Sequence, residues 1–259
     1  MGVINVTPDS FYSLSRKQTE KEVLDTAVGM ISDGVDILDI GGYSSRPDAI
    51  NIDEKTEKSR VLSSIKAVIK EIPKATISID TFRGDIAHAA VNEGASMIND
   101  ISGGNLDPAM FKVLASLKVP YVLMHMKGTP QTMQKNPEYE DVYREVFEFF
   151  EQKIKILNFH GVHDVIIDPG FGFGKTLEDN YKLLNQLDGF KVLDRPILVG
   201  ISRKSMITKL LDVSASANST LNATTALNTI ALMKGATILR VHDVAEAKEV
   251  VKLTDALKL

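Results

Sequence analysis

Short apolar runs that stop abruptly at polar residues punctuate the chain. The first, Val3 to Val6, delivers Asn5 and Thr7. It is too short for a helix, rich in β-branched residues, and meets Pro8, which has no N–H to give a strand ladder. The event recurs at residues 35–39, 76–80, 97–100, 121–125, 165–168, 197–200 and 238–242, which with the first makes eight predicted strands. Between them apolar residues return at helical spacing. Clear cases are Val23, Leu24, Ala27, Met30 and Ile31, then Val61, Ile65, Val68 and Ile69, then Val146, Phe149, Phe150, Ile154 and Leu157. Eight strand–helix units in about 250 residues have the dimensions of a (β/α)8 barrel, whose strands are buried on both faces and read as continuous apolar runs. An open doubly wound sheet needs about six strands and a glycine-rich first turn, which residues 7–11 lack. The pattern predicts one α/β domain, a TIM barrel over residues 1–259.

Composition agrees. With 44% hydrophobic and 25% charged residues in 259, the chain can bury one large core without a linker. A net charge of −4 gives no basic footprint for nucleic acid. The absence of cysteine excludes disulfides, thiol catalysis and thiolate-bound zinc. With no signal-peptide pattern and no apolar run of membrane-spanning length, a cytoplasmic protein without a membrane partner is expected.

The polar residues are not scattered. Asn5, Asp39, Asp80, Asn99, Asp100, Met124, His125, Asp168, Ser202, Lys204, Arg240 and His242 fall at or just past predicted strand C-termini, the functional face of barrels. Each has a structural alternative: Asp39 and Asp100 can orient loops, Asp80 before Thr81 can cap a helix, and Arg240 can pair with a neighbouring helix. Capping does not account for so many ionisable groups at one mouth. Asn99 and Asp168 offer amide and carboxylate edges suited to a planar heterocycle such as a pterin or purine. Arg240 and His242, with Ser202, are expected to form a cationic anchor for phosphate.

Two near misses are rejected. Residues 168–176 resemble a phosphate-binding loop, but Pro169 stands where that motif needs glycine; the glycines instead let the backbone turn and present Phe173 to a flat ligand. His160 and His163 precede the sixth strand, on the opposite face. No His/carboxylate cluster resembles a metal cage, so the expected metal is Mg²⁺ held mainly by substrate phosphates together with a neutral oxygen such as that of Asn5.

The motifs Ile4-Asn5-Val6-Thr7-Pro8-Asp9-Ser10-Phe11, Gly41-Gly42-Tyr43-Ser44-Ser45-Arg46-Pro47, Ser78-Ile79-Asp80-Thr81, Ile98-Asn99-Asp100, Leu123-Met124-His125, Asp168 to Lys175, Ser202-Arg203-Lys204 and Arg240-Val241-His242 resemble, in order and over the whole chain, those of the dihydropteroate synthase family. The resemblance implies condensation of 6-hydroxymethyl-7,8-dihydropterin diphosphate with p-aminobenzoate to 7,8-dihydropteroate and diphosphate, by a dissociative substitution. Carried over by position, it assigns the pterin to Asp80, Asn99, Met124, Asp168, Phe173 and Lys204, and the diphosphate to Asn5, Arg46, Ser202, Arg240 and His242, with Asn5 on the metal. It assigns p-aminobenzoate to Phe11, Ser45, Pro47, Lys204 and Ser205. Asn5, Arg46, Asp80, Lys204, Arg240 and His242 are the implied catalytic set, loops 7–17 and 43–53 the implied lids, and a homodimer through helices on the far side of the barrel the implied assembly.

Three departures stand out. Ser13 occupies the place of a family aspartate, Ser45 that of a threonine, and Asp48 that of a glycine. A methyltetrahydrofolate-corrinoid methyltransferase, built on a similar pterin-binding barrel, is the alternative; the Arg240/His242 and Ser202/Lys204 pairs have no evident use there. A non-catalytic pterin or sulfonamide binder would most simply lack Asn5, Arg46 or Lys204, and all three are present.

Overall fold

The structure is a computed structural model that describes residues 1–6, 20–44, 52–214 and 216–257. Phe11, Ser13, Ser45, Arg46, Pro47 and Asp48 lie outside the described residues.

Strands and helices alternate in the order β1 (Gly2–Asn5), α1 (Glu20–Ser32), β2 (Leu38–Gly41), α2 (Glu54–Glu71), β3 (Ile77–Asp80), α3 (Gly84–Asn92), β4 (Met97–Asp100), α4 (Met110–Leu117), β5 (Tyr121–Met124), α5 (Val142–Phe159), β6 (Val165–Asp168), α6 (Leu177–Asn185), β7 (Leu198–Val199), α7 (Ser205–Leu211), α8 (Ala217–Met233), β8 (Ile238–Leu239) and α9 (Val244–Ala256), with a 3-10 turn at Leu187–Leu193 after α6. β1 to β6 form one parallel ladder in sequence order and β7 pairs with β8. Parallel bridges Ile167↔Ile197 and Gly2↔Val241 close the circle. This is the predicted eight-stranded barrel.

The strands are not apolar on both faces as expected. Ile4, Leu38, Ile40, Ile77, Ile79, Ile98, Tyr121, Leu123, Val165, Ile167 and Val199 point outward and are buried under the helices. The alternate positions point into the barrel, because successive strand side chains take opposite faces. Met1, Met97, Val122, Ile166 and Leu198 make an apolar floor. Above it the inward positions turn polar: Asp39, Ser78, Asn99 and Asp168 are all buried. Helices supply the outer wall through the predicted stripes. Val61, Ile65 and Val68 are buried on α2, and Val146, Phe150, Ile154 and Leu157 on α5. On α1 only Val23 and Ala27 are buried, and Ile31 is exposed. Helix starts are fixed locally: the Asp53 carboxylate accepts from the Thr56 N–H at 2.7 Å, and Thr176 and Asp179 form a reciprocal capping box on α6.

Candidate active site

Register decides which polar residues meet. Asn5, Gly41, Asp80 and Asn99 are consecutive cross-strand partners on β1 to β4, and Met124 pairs with Asp168 across β5 and β6. One residue further on, the side chain flips to the other face. Asp100 therefore leaves the mouth, accepting from the Ser102 N–H (2.7 Å), the Ser102 hydroxyl (2.7 Å), the Gly104 N–H (2.8 Å) and the Tyr121 hydroxyl (2.8 Å). His125 also turns outward, edge-on to Phe149 at 5.0 Å and 3.0 Å from Lys175 Nζ. The expectation that both face the mouth is corrected. Asp39, expected at a strand end, is the second residue of β2 and lies inside the barrel wall.

Asp39 Oδ2 accepts from Asn99 Nδ2 at 3.0 Å and from Arg240 Nε at 2.7 Å, while Arg240 Nη2 reaches Asp80 Oδ2 at 2.7 Å. Arg240 thus pairs with two strand carboxylates, not with a neighbouring helix. Burial opposes its charge, but Asp39 and Asp80 outweigh burial and raise its pKa. Asp80 does not cap α3: the cap position is Arg83, and Asp107 accepts from the Gly84 N–H at 2.6 Å. Burial pushes the Asp80 carboxyl up to about 7 against the pull of Arg240.

Asp168 and Lys204 form the second group. Burial raises the Asp168 pKa, opposed by Lys204 and by the Gly170 N–H, which donates to Asp168 Oδ1 at 2.8 Å. Burial lowers Lys204 to about 8, opposed chiefly by Asp168. Lys204 Nζ donates to the Phe171 carbonyl and sits 4.6 Å from the centre of the Phe173 ring. Met124 is buried with Ile101, Met126 and Met133, and Phe173 packs against that cluster. Gly200 joins the two groups: a Cβ placed there would lie 3.7 Å from Arg240 Cβ and 3.9 Å from Lys204 Nζ, so the missing side chain leaves the mouth open between the two cations.

The third group is Ser202 and His242, whose Oγ and Nδ1 are 3.0 Å apart. Burial first, then Arg240, Arg203 and Lys204, lowers His242 to about 3, so the ring is neutral at pH 7. The His242 backbone N–H donates to Ser202 Oγ at 3.2 Å. Ser202 Oγ keeps a second lone pair, so these bonds fit either tautomer; we assign the ring proton to Nε2, with the hydroxyl donating to Nδ1. His242 offers a neutral N–H donor, and the charge comes from Arg240 and Lys204. Arg203, at φ +57°, turns away and pairs with Asp243, Nε to Oδ2 at 2.8 Å, tying the loop after β7 to the loop after β8.

The loop after β6 behaves as its glycines predict. Gly170, Gly172 and Gly174 have φ of +70°, +81° and +64°, and a Cβ on Gly170 would stand 2.0 Å from the His125 carbonyl oxygen. Lys175 is no phosphate ligand: its buried Nζ bonds the Gly170 carbonyl at 2.9 Å, the Phe173 carbonyl at 3.1 Å and His125 Nδ1 at 3.0 Å. His163 pairs with Asn158 at 3.1 Å on the opposite face, as expected of a structural residue. Among the described residues no three His, Cys, Asp or Glu side chains group as a metal cage.

The chain carrying this mouth matches known proteins closely over its length. The profile of the family described as pterin binding enzyme matches residues 1–242. Dihydropteroate synthase of Synechocystis is 41% identical over 259 residues, covering 99% of this chain and 89% of the relative. The chain belongs to the dihydropteroate synthase family. The Yersinia pestis synthase, solved as a sulfonamide drug complex, superposes with a TM-score of 0.94 at 36% identity, covering 99% of this chain and 93% of its own. The Xanthomonas albilineans synthase bound to 7,8-dihydropteroate gives 0.87 at 34%, covering 99% and 92%.

In this synthase fold the expected site residues divide cleanly. Asp80, Asn99, Met124, Asp168, Phe173, Lys204 and Arg240 surround one mouth, with Ser202 and His242 on the next two strand ends. Asn5 ends β1, half-buried, and Ser205 opens α7, exposed. What sequence reading missed is the Asp39 bridge. The signal was available as a period-two alternation, since Asp39 and Ser78 interrupt apolar strands at inward positions.

Proposed function

We propose that the enzyme joins 6-hydroxymethyl-7,8-dihydropterin diphosphate to p-aminobenzoate, releasing diphosphate, in folate biosynthesis. The observation that carries this reading is the convergence of Asn99, Asp168 and Asp80 with Lys204, Arg240 and a neutral His242 at one barrel mouth. The Xanthomonas relative binds 7,8-dihydropteroate, which is a pterin already joined to p-aminobenzoate.

Asp168 and Asn99 read the polar edge of the pterin, Lys204 donates to its carbonyl and ring nitrogen, and Met124 and Phe173 cover its faces. Arg240 and the Nε2–H of His242 hold the diphosphate, with Ser202 orienting the His242 ring. The carbon–oxygen bond breaks with its electron pair leaving on diphosphate, and the pterin ring delocalises the resulting cation. The p-aminobenzoate nitrogen then forms the new carbon–nitrogen bond and loses one proton to the released diphosphate or to water. Ser202 Oγ lies 3.0 Å from His242 Nδ1, but a dissociative substitution needs no covalent intermediate, so the protein's contribution is positioning and charge stabilisation. Asn5, Arg46 and the loop residues Phe11, Ser45 and Pro47, with Lys204 and Ser205, complete the diphosphate and p-aminobenzoate sites. The donor set fits Mg²⁺: Asn5 supplies one neutral oxygen, and phosphate oxygens and water supply the rest. When bound, the ion neutralises charge on the leaving diphosphate.

A homodimer through α7 to α9 is supported by Leu210, Leu211, Met233 and Leu253, all exposed apolar side chains on those helices. The proposed setting is cytoplasmic; no helix among the described residues is long and apolar enough to cross a membrane. Diphosphate release, measured with and without p-aminobenzoate, tests the reaction. Release that is absent, or independent of the amine, refutes it.

A further inference from the structure

We propose that Asp39 is a positioning residue that orients two separate substrate contacts, the amide of Asn99 and the guanidinium of Arg240, from inside the barrel wall. The proposal rests on the function proposed above and deepens it.

The observation is an expensive carboxylate. Asp39 is fully buried, yet only Oδ2 is bonded; Oδ1 has no partner among the described residues. Its cross-strand neighbour Ser78 is also fully buried with an unpartnered hydroxyl. Burying a half-satisfied carboxylate in a wall otherwise lined by Met97, Val122, Ile166 and Leu198 destabilises the barrel relative to an apolar residue. Stability therefore does not account for Asp39, and its two partners do.

One partner is Asn99. An amide rotated by half a turn exchanges donor for acceptor, which reverses what it reads on a heterocycle. By accepting from Nδ2, Asp39 fixes that choice and leaves Asn99 Oδ1 as the acceptor for a ligand N–H. The other partner is Arg240. Asp39 takes Nε, the nitrogen nearest the chain, at 2.7 Å, so the stem is anchored while, among the described residues, the terminal nitrogens are held only by Asp80 at 2.7 Å. A guanidinium held at Nε exchanges one terminal partner for another by small rotations. The geometry permits transfer of the outer nitrogens from Asp80 to a diphosphate oxygen, releasing Asp80 toward the pterin in the same motion. Asp39 touches neither substrate and acts through both residues.

Two probes separate the two arms. 6-Hydroxymethylpterin without diphosphate reads the Asn99 arm, and inorganic diphosphate with Mg²⁺ reads the Arg240 arm, both by calorimetry on the full chain. Asp39→Asn is expected to weaken each at least tenfold and to raise the KM for pterin diphosphate correspondingly, with the KM for p-aminobenzoate changing less than twofold. Arg240→Lys keeps a cation but has no Nε, so it is expected to weaken diphosphate and leave the pterin probe within twofold. In the double variant Asp39→Asn/Arg240→Lys, diphosphate affinity should match that of Arg240→Lys alone. General structural damage would instead multiply the two effects. A folded Asp39→Asn protein that binds both probes like the native enzyme, or multiplicative losses in the double variant, overturns the proposal. Should Asp39→Asn not fold, Asp39→Ala with formate replaces it: restored turnover supports the role and no restoration overturns it. A native enzyme with no amine-dependent diphosphate release would refute the proposed reaction instead, while the two binding probes still test the positioning.

Discussion

Alanine at Gly170 and at Gly161 should have unequal effects despite similar backbone angles. Gly161 follows α5 at φ +78° and Gly170 lies in the loop after β6 at φ +70°. A side chain in this left-handed region costs about 1 kcal/mol at each. Around Gly161 a new Cβ meets nothing within 4 Å; at Gly170 it meets the His125 carbonyl oxygen at 2.0 Å, a backbone atom that cannot rotate away. That carbonyl also accepts from Lys175 Nζ at 3.4 Å, and the His125 N–H donates to the Asp168 carbonyl at 3.0 Å, so relief must displace a strand end. Gly170→Ala should therefore cost about 3 kcal/mol in all. At roughly 2–4 °C per kcal/mol for a chain of this size, Gly161→Ala should melt about 3 °C below the native protein and Gly170→Ala about 9 °C below. The Gly170 loop carries Phe173 and the Phe171 carbonyl that receives Lys204, so pterin affinity should fall about tenfold in Gly170→Ala only, a change of about 1.4 kcal/mol. Thermal melts and calorimetric titration with 6-hydroxymethylpterin check both. Melting temperatures within 2 °C of each other would show that the loop absorbs the clash and refute the reasoning.

Asp168→Asn and Lys204→Ala should each weaken pterin binding about a hundredfold while melting within about 4 °C of native, by titration and melting; native-like pterin affinity in either would misplace the pocket. Because His242 is depressed to about 3, its ring is neutral in the fold while the unfolded chain takes up a proton below about 6.5. Its contribution to stability is complete above about pH 6.5 and is lost as pH falls toward 3. Diphosphate affinity should accordingly show no inflection near pH 6.5 that disappears in His242→Gln, and such an inflection would show a charged ring. p-Aminobenzoate should bind poorly alone and at least tenfold better once diphosphate and Mg²⁺ are present, with chelation erasing the gain; equal affinities by calorimetry would sink ordered assembly.

The barrel was legible because the outward strand positions form unbroken apolar sets beneath amphipathic helices, and because polar residues close the strands at regular intervals. The site was legible as a list of residue types. Their directions were not, since a one-residue step along a strand separates Asn99, which faces the mouth, from Asp100, which braces a turn, and Met124 from His125. Period-two alternation sets these directions only once the strand is known to continue past its apolar run, and the run alone does not say where the strand ends. The charge of His242 was equally hidden: it depends on burial and on Arg240, Arg203 and Lys204, and of these the burial and the convergence appear only after folding. Asp39 looked like a strand terminus because its apolar run stops there, whereas the strand continues through Ile40 and Gly41 as the wall that Arg240 leans on.

The barrel is closed by thin seams. β7 and β8 are two residues each, and a single parallel bridge joins the pair to the six-stranded ladder on either side. Lys204, Ser202, Arg240 and His242 belong to this small part, while Asp80, Asn99, Met124 and Asp168 belong to the large one. Protection of backbone amides follows the density of cooperative contacts, so the two-stranded part is expected to exchange before the six-stranded ladder. Opening there would part Ser202, Lys204, Arg240 and His242 from Asp80, Asn99, Met124 and Asp168 while six strands stay paired. Under mild denaturant activity is therefore expected to be lost before the six-stranded ladder unfolds, a difference that parallel activity and circular-dichroism titrations would read.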